Sequence, residues 1–419
     1  MIRILDWETI RPEEILNRDI RAEADVGAAV DAVIADVRKN GDAALLRYTE
    51  RFDGVSLTAL EVTAAEMDAA WAALDEDFKT TLQMAADNIR RFHERQVHND
   101  FVLTDRPGIV MGQRYTPIRR VGVCVPRSPE AFPSTILMNV IPARIAGVEE
   151  IFVVTPPDQT GAVSAEALAA AKIAGADRIF KVGGAQAVAA LAYGTETIPA
   201  VDKVVGPGGI FVATAKRKVF GQVGIDMIAG PSEILVLSDG GSDPAWVAAD
   251  LLSQAEHDVC ASAVLVTDSR PLAQAVQREL EEQLAALPRR DIAAKALNDN
   301  GKIIVTADLS AAVEAVNRIA PEHLELCVAD PFALLPQIRN AGSVFLGRSA
   351  PEALGDYFAG PNHTLPTAGT ARFSSPLGVD DFRKRSSFLY YTREALAEAA
   401  PRIAEFARRE GLRPTPGRY

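Results

Sequence analysis

The chain has 419 residues, of which 48% are hydrophobic, and a formal net charge of −12 at pH 7. This length is enough for two or three domains with a sizeable core. The negative charge, which no basic block offsets, argues against nucleic acid or an acidic membrane surface as the main partner. No apolar run reaches the roughly 20 residues of a membrane span, and the first residues lack a signal-peptide hydrophobic region.

The three cysteines, Cys124, Cys260 and Cys327, are widely spaced. This spacing favours a reducing compartment over a disulfide framework. We therefore expect a soluble cytoplasmic protein.

The first segment, 1–119, is predicted to be mainly helical. Apolar residues at helical spacing follow Asp25 and are interrupted at Asn40-Gly41, and a second helical stretch covers roughly Ala64 to Gln96. We expect this segment to pack on the second of the two α/β units that follow it.

From residue 120 onward, short apolar runs alternate with helical segments. This alternation predicts two Rossmann-like units, at 120–232 and 233–375, each with a parallel sheet and helices on both faces. The predicted strands are Val121–Val125, Ile151–Thr155, Arg178–Val182, Lys203–Val205, Ile234–Leu237, Ala263–Thr267, Lys302–Thr306 and Ser343–Leu346.

The fold class is thus α/β, with two parallel-sheet domains and helical additions at both ends. The last segment, 376–419, reads as helical and charged, and it is too small to fold alone. We expect it to pack on the rest of the chain or to reach a partner subunit.

Two glycine-rich turns, Gly183-Gly184 and Gly206–Gly209, directly follow predicted strands of the first unit. Glycine lets a ligand approach the backbone, and the helix that follows favours a phosphate at its N-terminus. Neither turn matches G-x-G-x-x-G, so ordinary tight turns are an equal alternative.

A third turn, Ala229–Glu233, joins the units. A ligand crevice at the carboxyl ends of both sheets would pass Ser232 there, although a linker turn is the simpler interpretation.

Polar residues that suit metal binding lie in the second unit. Gln254 and His257 are three residues apart, so they share a helical face and would form half of a metal site. Asp356 and His363 stand in a turn-rich stretch, a common source of metal or substrate ligands.

Glu322 and His323 form an adjacent carboxylate and imidazole. Such a pair suits general acid–base catalysis, while a capping glutamate beside a surface histidine is the alternative. Taken with the metal-binding candidates, the pair indicates one site assembled from several segments.

These motifs, in this order, resemble those of the histidinol dehydrogenase family over roughly residues 20–412. The motifs that carry the resemblance are Val182–Gln186, Gly206–Gly208, Ala229–Glu233, Leu251–His257, Pro321–Leu324, Ala341–Gly347, Gly355–Tyr357, Asn362–Thr367 and Phe373–Ser375.

The resemblance implies oxidation of L-histidinol to L-histidine, through histidinal, in two NAD-dependent steps. It implies a zinc-dependent homodimer acting last in histidine biosynthesis, with Glu322 and His323 as the catalytic pair. The implied zinc ligands are Gln254, His257 and Asp356. The implied substrate-contacting positions are Ser232, Gln254, His257, His323, Asp356, His363 and Glu410. The implied cofactor-contacting positions are Cys124, Gln186 and Gly209.

The chain departs from the family pattern at three of the implied positions. The family's fourth zinc ligand, a histidine from the other subunit, corresponds to Thr415, and no histidine follows His363. The family's cofactor-contacting tyrosine and asparagine correspond to Cys124 and Gly209. Threonine is a poor zinc ligand, so the resemblance leaves open what fills the fourth zinc position.

Three interpretations follow from these departures. The first is a working histidinol dehydrogenase, with water or substrate in the open zinc position. The second is a related dehydrogenase of another hydroxylated substrate, whose anionic group Arg127 would fit. The third is a non-catalytic dimeric ligand-binding protein. Retention of Glu322, His323 and His363 argues against the third, and retention of Asn362–Thr367 and Phe373–Ser375 favours the first over the second.

Overall fold

The structure, a computed structural model, describes residues 2–11, 15, 21–126 and 132–412. Its N-terminal segment contains strand β1 (Arg3–Asp6), helices α1 (Arg21–Asp53), α2 (Ala64–Ala73) and α3 (Glu76–His93), and strands β2 (Phe101–Leu103) and β3 (Ile109–Pro117).

The helical prediction for this segment is confirmed, with one refinement. Gly41 interrupts α1 with a non-helical φ of 49°, as the Asn40-Gly41 pair predicts. The single stretch predicted from Ala64 is instead two helices. Leu74 is extended, and the side chain of Asp75 accepts a hydrogen bond from the N–H of Phe78, which starts a new helix.

The first α/β unit contains a five-stranded parallel sheet. Its elements are β4 (Arg120–Cys124), α4 (Pro133–Ala146), β5 (Glu150–Thr155), α5 (Ala165–Ala174), β6 (Arg178–Lys181), α6 (Gly184–Tyr193), β7 (Lys203–Val205), α7 (Ile210–Val219) and β8 (Gly224–Ile225). The strand order is β6-β5-β4-β7-β8. The four predicted strands are confirmed, and the short edge strand β8 was not predicted.

The second unit contains a six-stranded parallel sheet. Its elements are β9 (Glu233–Ser238), α8 (Pro244–Ala255), β10 (Ser262–Thr267), α9 (Arg270–Leu284), α10 (Arg290–Asp299), β11 (Lys302–Val305), α11 (Leu309–Ile319), β12 (His323–Cys327), α12 (Pro331–Leu334), β13 (Ser343–Leu346) and α13 (Glu352–Leu354). The strand order is β1-β11-β10-β9-β12-β13, so the N-terminal strand closes one edge. Strand β12 was not predicted.

The C-terminal segment is only partly helical. Strand β14 (Arg383–Tyr391) precedes helix α14 (Arg393–Arg409) and pairs with β3 in an antiparallel sheet of order β14-β3-β2. The prediction of a helical C-terminal segment is confirmed at α14, whereas Arg383–Tyr391 form a strand because cross-strand pairing outweighs a polar local sequence that does not read as a strand.

The N-terminal helices pack on the first unit, so the prediction that they pack on the second is wrong. Helix α1 contacts α6 and α7, α2 contacts α5, and α3 contacts α4. The reason is apolar burial: Val30 and Val37 of α1, and Leu82 and Ile89 of α3, enter the two core clusters of the first sheet. The second unit is contacted by β1, which joins its sheet, and by α3, where the side chain of Asn88 donates a hydrogen bond to the carbonyl oxygen of Phe358.

Among the described residues, none of the helices combines the length and the apolar character that a membrane crossing requires.

His93 links the helical segment to the far end of the second unit. Its imidazole is fully buried, with Nδ1 2.9 Å from the carbonyl oxygen of Ile89 and Nε2 3.4 Å from Nδ2 of Asn362. Burial lowers the pKa of His93 below its ordinary 6.5, although backbone contacts with Ile89 and Leu377 raise it.

We expect His93 to make the protein less stable in acid. Because its folded pKa lies below the unfolded value, its contribution is fully present above that unfolded value and is lost as the pH falls through the folded pKa. The slope is at most about 1.4 kcal/mol per pH unit. Denaturant midpoints measured from neutral pH into acid should fall less for His93→Gln than for the wild type. His98→Gln, at an exposed histidine, is the control; equal slopes for wild type and His93→Gln would contradict this assignment.

Candidate active site

The carboxyl ends of β4, β6 and β7 open on one cavity of about 240 Å³. Cys124 ends β4, Gly183-Gly184 follows β6, and Pro207–Gly209 follows β7; all of these residues line the cavity. Both glycine-rich turns picked out in the sequence therefore meet at one place, because parallel strands bring their carboxyl ends to the same edge.

The backbone around Gly206 needs glycine, whereas Gly209 leaves open space. Gly206 has a φ of 99°, and a Cβ atom there would lie 2.2 Å from the carbonyl oxygen of Cys124. At Gly209, an added Cβ would meet no atom of the described residues within 4 Å. The second turn thus passes tightly over β4 and then widens the cavity.

Two helices begin at this cavity. The N-cap residues of α6 and α7 are Gly183 and Gly209, and within the described part of the chain neither makes a side-chain capping hydrogen bond. Their first N–H groups therefore have no side-chain cap and are available to donate hydrogen bonds to an anionic ligand. Gln186, in the first turn of α6, is buried and is not among the described residues that line the cavity.

The backbone of one residue, Glu233 at the start of β9, holds both Glu322 and His323. The N–H of Glu233 donates a 2.8 Å hydrogen bond to Oε2 of Glu322, and the carbonyl oxygen of Glu233 lies 3.0 Å from Nδ1 of His323. His323 is the first residue of β12, which pairs with β9. The entry to a central strand, rather than a helix start, thus places both side chains in the same buried region.

His323 is surrounded by carboxylates. Its Nδ1 lies 3.6 Å from Oε2 of Glu322, and its Nε2 lies 3.5 Å from Oδ1 of Asp356 and 4.0 Å from Oε1 of Glu352. Burial lowers the pKa of His323, but these three carboxylates outweigh burial and raise the pKa to about 10. Burial raises the pKa of Glu322 to about 8, against the opposing effect of His323.

Three histidines converge on Asp356. Burial raises the pKa of this carboxyl, but His323, His363 and His257 together hold it below its ordinary value. Nδ1 of His363 also lies 3.1 Å from the carbonyl oxygen of Asp356. The structure therefore brings together side chains that lie more than 100 positions apart in the chain, as the sequence predicts for the metal-binding candidates.

Gln254 and His257 lie at the end of α8, although the helix stops at Ala255 and His257 falls just beyond it. Gln254 is buried, and none of the described residues makes a hydrogen bond to its Oε1 atom. His257 is exposed, and its N–H donates to the carbonyl oxygen of Gln254, which keeps the two residues on the same turn.

Sequence reasoning missed Glu352, a buried carboxylate on α13. Its Oε2 accepts a 2.9 Å hydrogen bond from the hydroxyl of Ser253, and its N–H donates to Oε1 of Glu325. His323, Glu352 and Asp356 each offer one atom that could bind a metal, all within 4.8 Å of one another. The i, i+4 spacing of Glu352 and Asp356 was the available signal, because that spacing puts two side chains on one helical face.

This cluster lies at the amino ends of the second sheet. Glu233, His323 and Ser343 are the first residues of β9, β12 and β13. The expectation of carboxyl ends in both sheets is therefore wrong for this unit. Helix α8 runs back against the strands that flank it, so its last turn brings Gln254 to the amino edge.

A second cavity, of about 270 Å³, adjoins this cluster. His323, Asp356 and His363 line it on its polar side, and apolar side chains that include Phe345 and Leu365 line the rest. A small ligand with a polar end and a flat apolar part would fit this lining.

The remaining predicted residues lie elsewhere. Ser232 is half-buried and immediately precedes Glu233, beside the cluster. Glu410 is exposed at the end of α14 and is not among the described residues that line either cavity. Thr415 and Arg127 lie outside the described residues.

Comparisons with known proteins give one consistent result. The family model for histidinol dehydrogenase matches residues 16–415. A histidinol dehydrogenase of Geobacillus kaustophilus is 55% identical over 407 residues, which cover 97% of this chain and 96% of that protein. One from Halalkalibacterium halodurans is 53% identical over 405 residues, which cover 96% of each. The crystal structure of histidinol dehydrogenase from Elizabethkingia anophelis superposes with a TM-score of 0.92 at 37% identity and covers 98% of this chain and 94% of that one. The chain belongs to the histidinol dehydrogenase family.

Proposed function

We propose that this protein oxidises L-histidinol to L-histidine through histidinal, with zinc as a resident metal and NAD as the hydride acceptor. The observation that carries the proposal is the buried Glu322–His323 pair, which stands within 4 Å of the carboxylates of Asp356 and Glu352. Such a cluster joins acid–base groups to metal ligands in one place.

The donor set near Asp356 suits zinc. Among the described residues, no hydrogen-bond partner reaches Oε1 of Gln254, and buried polar atoms are seldom left without one. Gln254, His257 and Asp356 would supply the oxygen and nitrogen ligands that zinc accepts. When bound, zinc would hold the imidazole and amino nitrogens of the substrate and offset the surrounding negative charge. That offset would lower the pKa of His323 toward the neutral range.

The first cavity suits a dinucleotide. Close backbone approach at Gly206–Gly209 and the two uncapped helix starts match what a pyrophosphate requires. Zinc has no redox chemistry, so the proposal needs a separate hydride acceptor, and NAD supplies that chemistry when bound. By resemblance, Gln186, Cys124 and Gly209 mark this site.

The catalytic pair then has two tasks. His323 accepts the hydroxyl proton while the carbinol hydrogen leaves as hydride to NAD, which gives histidinal. Glu322 accepts a proton from the water that adds to the aldehyde carbon. A carboxyl with a pKa near 8 is a better proton acceptor than an ordinary glutamate. His323 returns its proton to the aldehyde oxygen, which completes the hydrate. His323 would then accept a hydroxyl proton of the hydrate while the carbon-bound hydrogen leaves as hydride to a second NAD, and the carboxylic acid that forms loses its proton to solvent, which gives the carboxylate of histidine. Ser232, His363 and Glu410 are proposed to contact the substrate.

We expect the zinc-loaded protein to reduce NAD when given L-histidinol. Oxidation of an alcohol to an acid removes four electrons, so about two NADH should form for each histidine, as absorbance and product chromatography will measure. Failure with L-histidinol alongside turnover of a sulfonated or carboxylated diol would instead support the alternative substrate class. Absence of turnover with any alcohol, together with absence of zinc, would support a non-catalytic role.

We expect His257→Ala to lose zinc. It removes one of three proposed protein ligands, and removing even an outer-shell partner typically weakens metal affinity by about 10–100-fold, so this loss should be at least as large. Metal analysis of dialysed protein is the measurement. His98→Ala, which removes an exposed histidine paired with Asp380, is the matched control. Unchanged zinc content in His257→Ala would refute the proposed ligand set.

We also propose that the protein is a homodimer. Within the described residues, α14 has no buried side chain, and Phe406 on it is 74% exposed. On the neighbouring sheet, Leu389 of β14 is 73% exposed, and Leu103 of β2 is exposed as well. A small antiparallel sheet and a helix with bare apolar side chains are poorly stable alone, so a second copy of the chain is proposed to cover them.

Phe406→Asp should therefore shift the protein toward monomer in analytical ultracentrifugation. Introducing a charge into an apolar interface leaves that charge buried and unpaired, which weakens association by several kcal/mol, on the order of 2–5. Phe332→Asp, at an equally exposed phenylalanine of α12, is the control and should leave the mass unchanged. A wild-type protein that sediments as a monomer would contradict the proposal.

The cytoplasm is the proposed compartment, since all three cysteines are free.

A further inference from the structure

A buried ion pair lies beneath the second glycine-rich turn. Lys216 of α7 contacts Asp226, which follows β8, and their side chains are only 2% and 1% exposed. Neither residue is among the described residues that line the first cavity, and neither belongs to the catalytic cluster. The pair therefore needs an explanation that the proposed chemistry does not supply.

The pair holds both sides of one residue, Gly206. The N–H of Gly206 donates a 2.8 Å hydrogen bond to Oδ2 of Asp226, and Nζ of Lys216 donates a 3.0 Å hydrogen bond to the carbonyl oxygen of Gly206. Oδ1 of Asp226 also accepts the N–H of Met227 at 2.6 Å. The start of the turn is thus hydrogen-bonded both to α7, through Lys216, and to the residue that follows β8, Asp226.

Gly206 is the residue at which this turn is most constrained. Its φ of 99° lies in the left-handed region, and its backbone passes against the carbonyl oxygen of Cys124. Pro207, Gly208 and Gly209 continue directly from it and line the cavity. A small rotation at Gly206 would therefore move the wall of the cavity.

Stability alone does not account for this pair. Two charges buried together commonly stabilise a fold no better than apolar side chains of similar size, because desolvation offsets their attraction. A lysine and a carboxylate can, however, hold the N–H and the carbonyl group of one glycine in fixed orientations through strong, directional hydrogen bonds.

We propose that Lys216 and Asp226 are positioning residues that set the Gly206–Gly209 turn for cofactor binding. This inference rests on the proposal that the first cavity binds NAD. It assigns the pair a role in NAD affinity and none in binding of L-histidinol or in proton transfer.

The test compares two double variants of the zinc-loaded protein. Lys216→Met with Asp226→Leu removes both contacts to Gly206, whereas Lys216→Met with Asp226→Asn keeps an oxygen that accepts the Gly206 N–H. We expect the first variant to raise the Kd for NAD, measured by calorimetry, and the KM for NAD by about tenfold or more, and the second to raise them less. The KM for L-histidinol and kcat at saturating NAD should stay within about twofold in both.

The matched control is Glu61→Gln with Arg178→Met. It removes a bidentate ion pair at Arg178, the first residue of β6, which lies at the opposite edge of the same sheet. It should lower thermal stability and leave the Kd for NAD unchanged. Hydrogen exchange of the turn, measured without NAD, should speed up in the Leu variant and not in the control. This second readout also serves if the Leu variant folds poorly, because the Asn variant can be read in the same way.

Two different outcomes overturn the inference, and only the second also overturns the proposed cofactor site. If the wild type binds NAD and the Leu variant binds it equally well with unchanged exchange in the turn, the positioning role is wrong and the cofactor site stands. If the wild type itself shows no heat of NAD binding, both the cofactor site and this inference fall.

Discussion

The active-site cluster depends on an excess of buried negative charge. Glu322, Glu352 and Asp356 surround the single buried imidazole of His323, and burial raises the pKa of both glutamates. Carboxylates out of water are costly unless a cation compensates them. Among the described residues, the groups that offset this charge are histidines, so the proposed zinc would supply the missing positive charge. The proposed zinc would also account for Oε1 of Gln254, which is buried and has no hydrogen-bond partner among the described residues.

Helix direction decides which edge of each sheet is used. In the first unit the cavity opens at the carboxyl ends of strands, where glycine-rich turns lead into helices α6 and α7. In the second unit the polar side chains come from strand starts and from the last turn of α8. The segment that carries His363 also reaches the first unit, since Asn362 donates a hydrogen bond to the carbonyl oxygen of Met138 in α4. The two units are therefore tied together beside the cluster.

The sequence predicts the parts of this protein that have local signals. The two parallel sheets follow from apolar runs bounded by turns. Gln254 and His257 stand out by their spacing on one helical face, and Asp356 and His363 by their place in a turn-rich stretch. Strand β12 is not predicted because His323 and Glu325 interrupt its apolar pattern, yet the neighbouring strands bury both side chains. Strand β14 and the role of Glu352 are not predicted for a related reason. Their burial or pairing is set by segments distant in sequence, which local patterns do not report.

The departures from the family pattern would change how the proposed NAD is held. Burial raises the pKa of Cys124 to about 12, so this thiol is neutral and offers the cavity little beyond an apolar wall. Gly209 brings no side chain at all. Recognition of NAD would then depend on backbone N–H groups at the two helix starts, and such groups bind well only when their peptide planes are fixed beforehand. A chain that lacks side-chain contacts at these two positions therefore relies more heavily on the geometry of the turn, and the buried Lys216–Asp226 pair is what holds that geometry at Gly206.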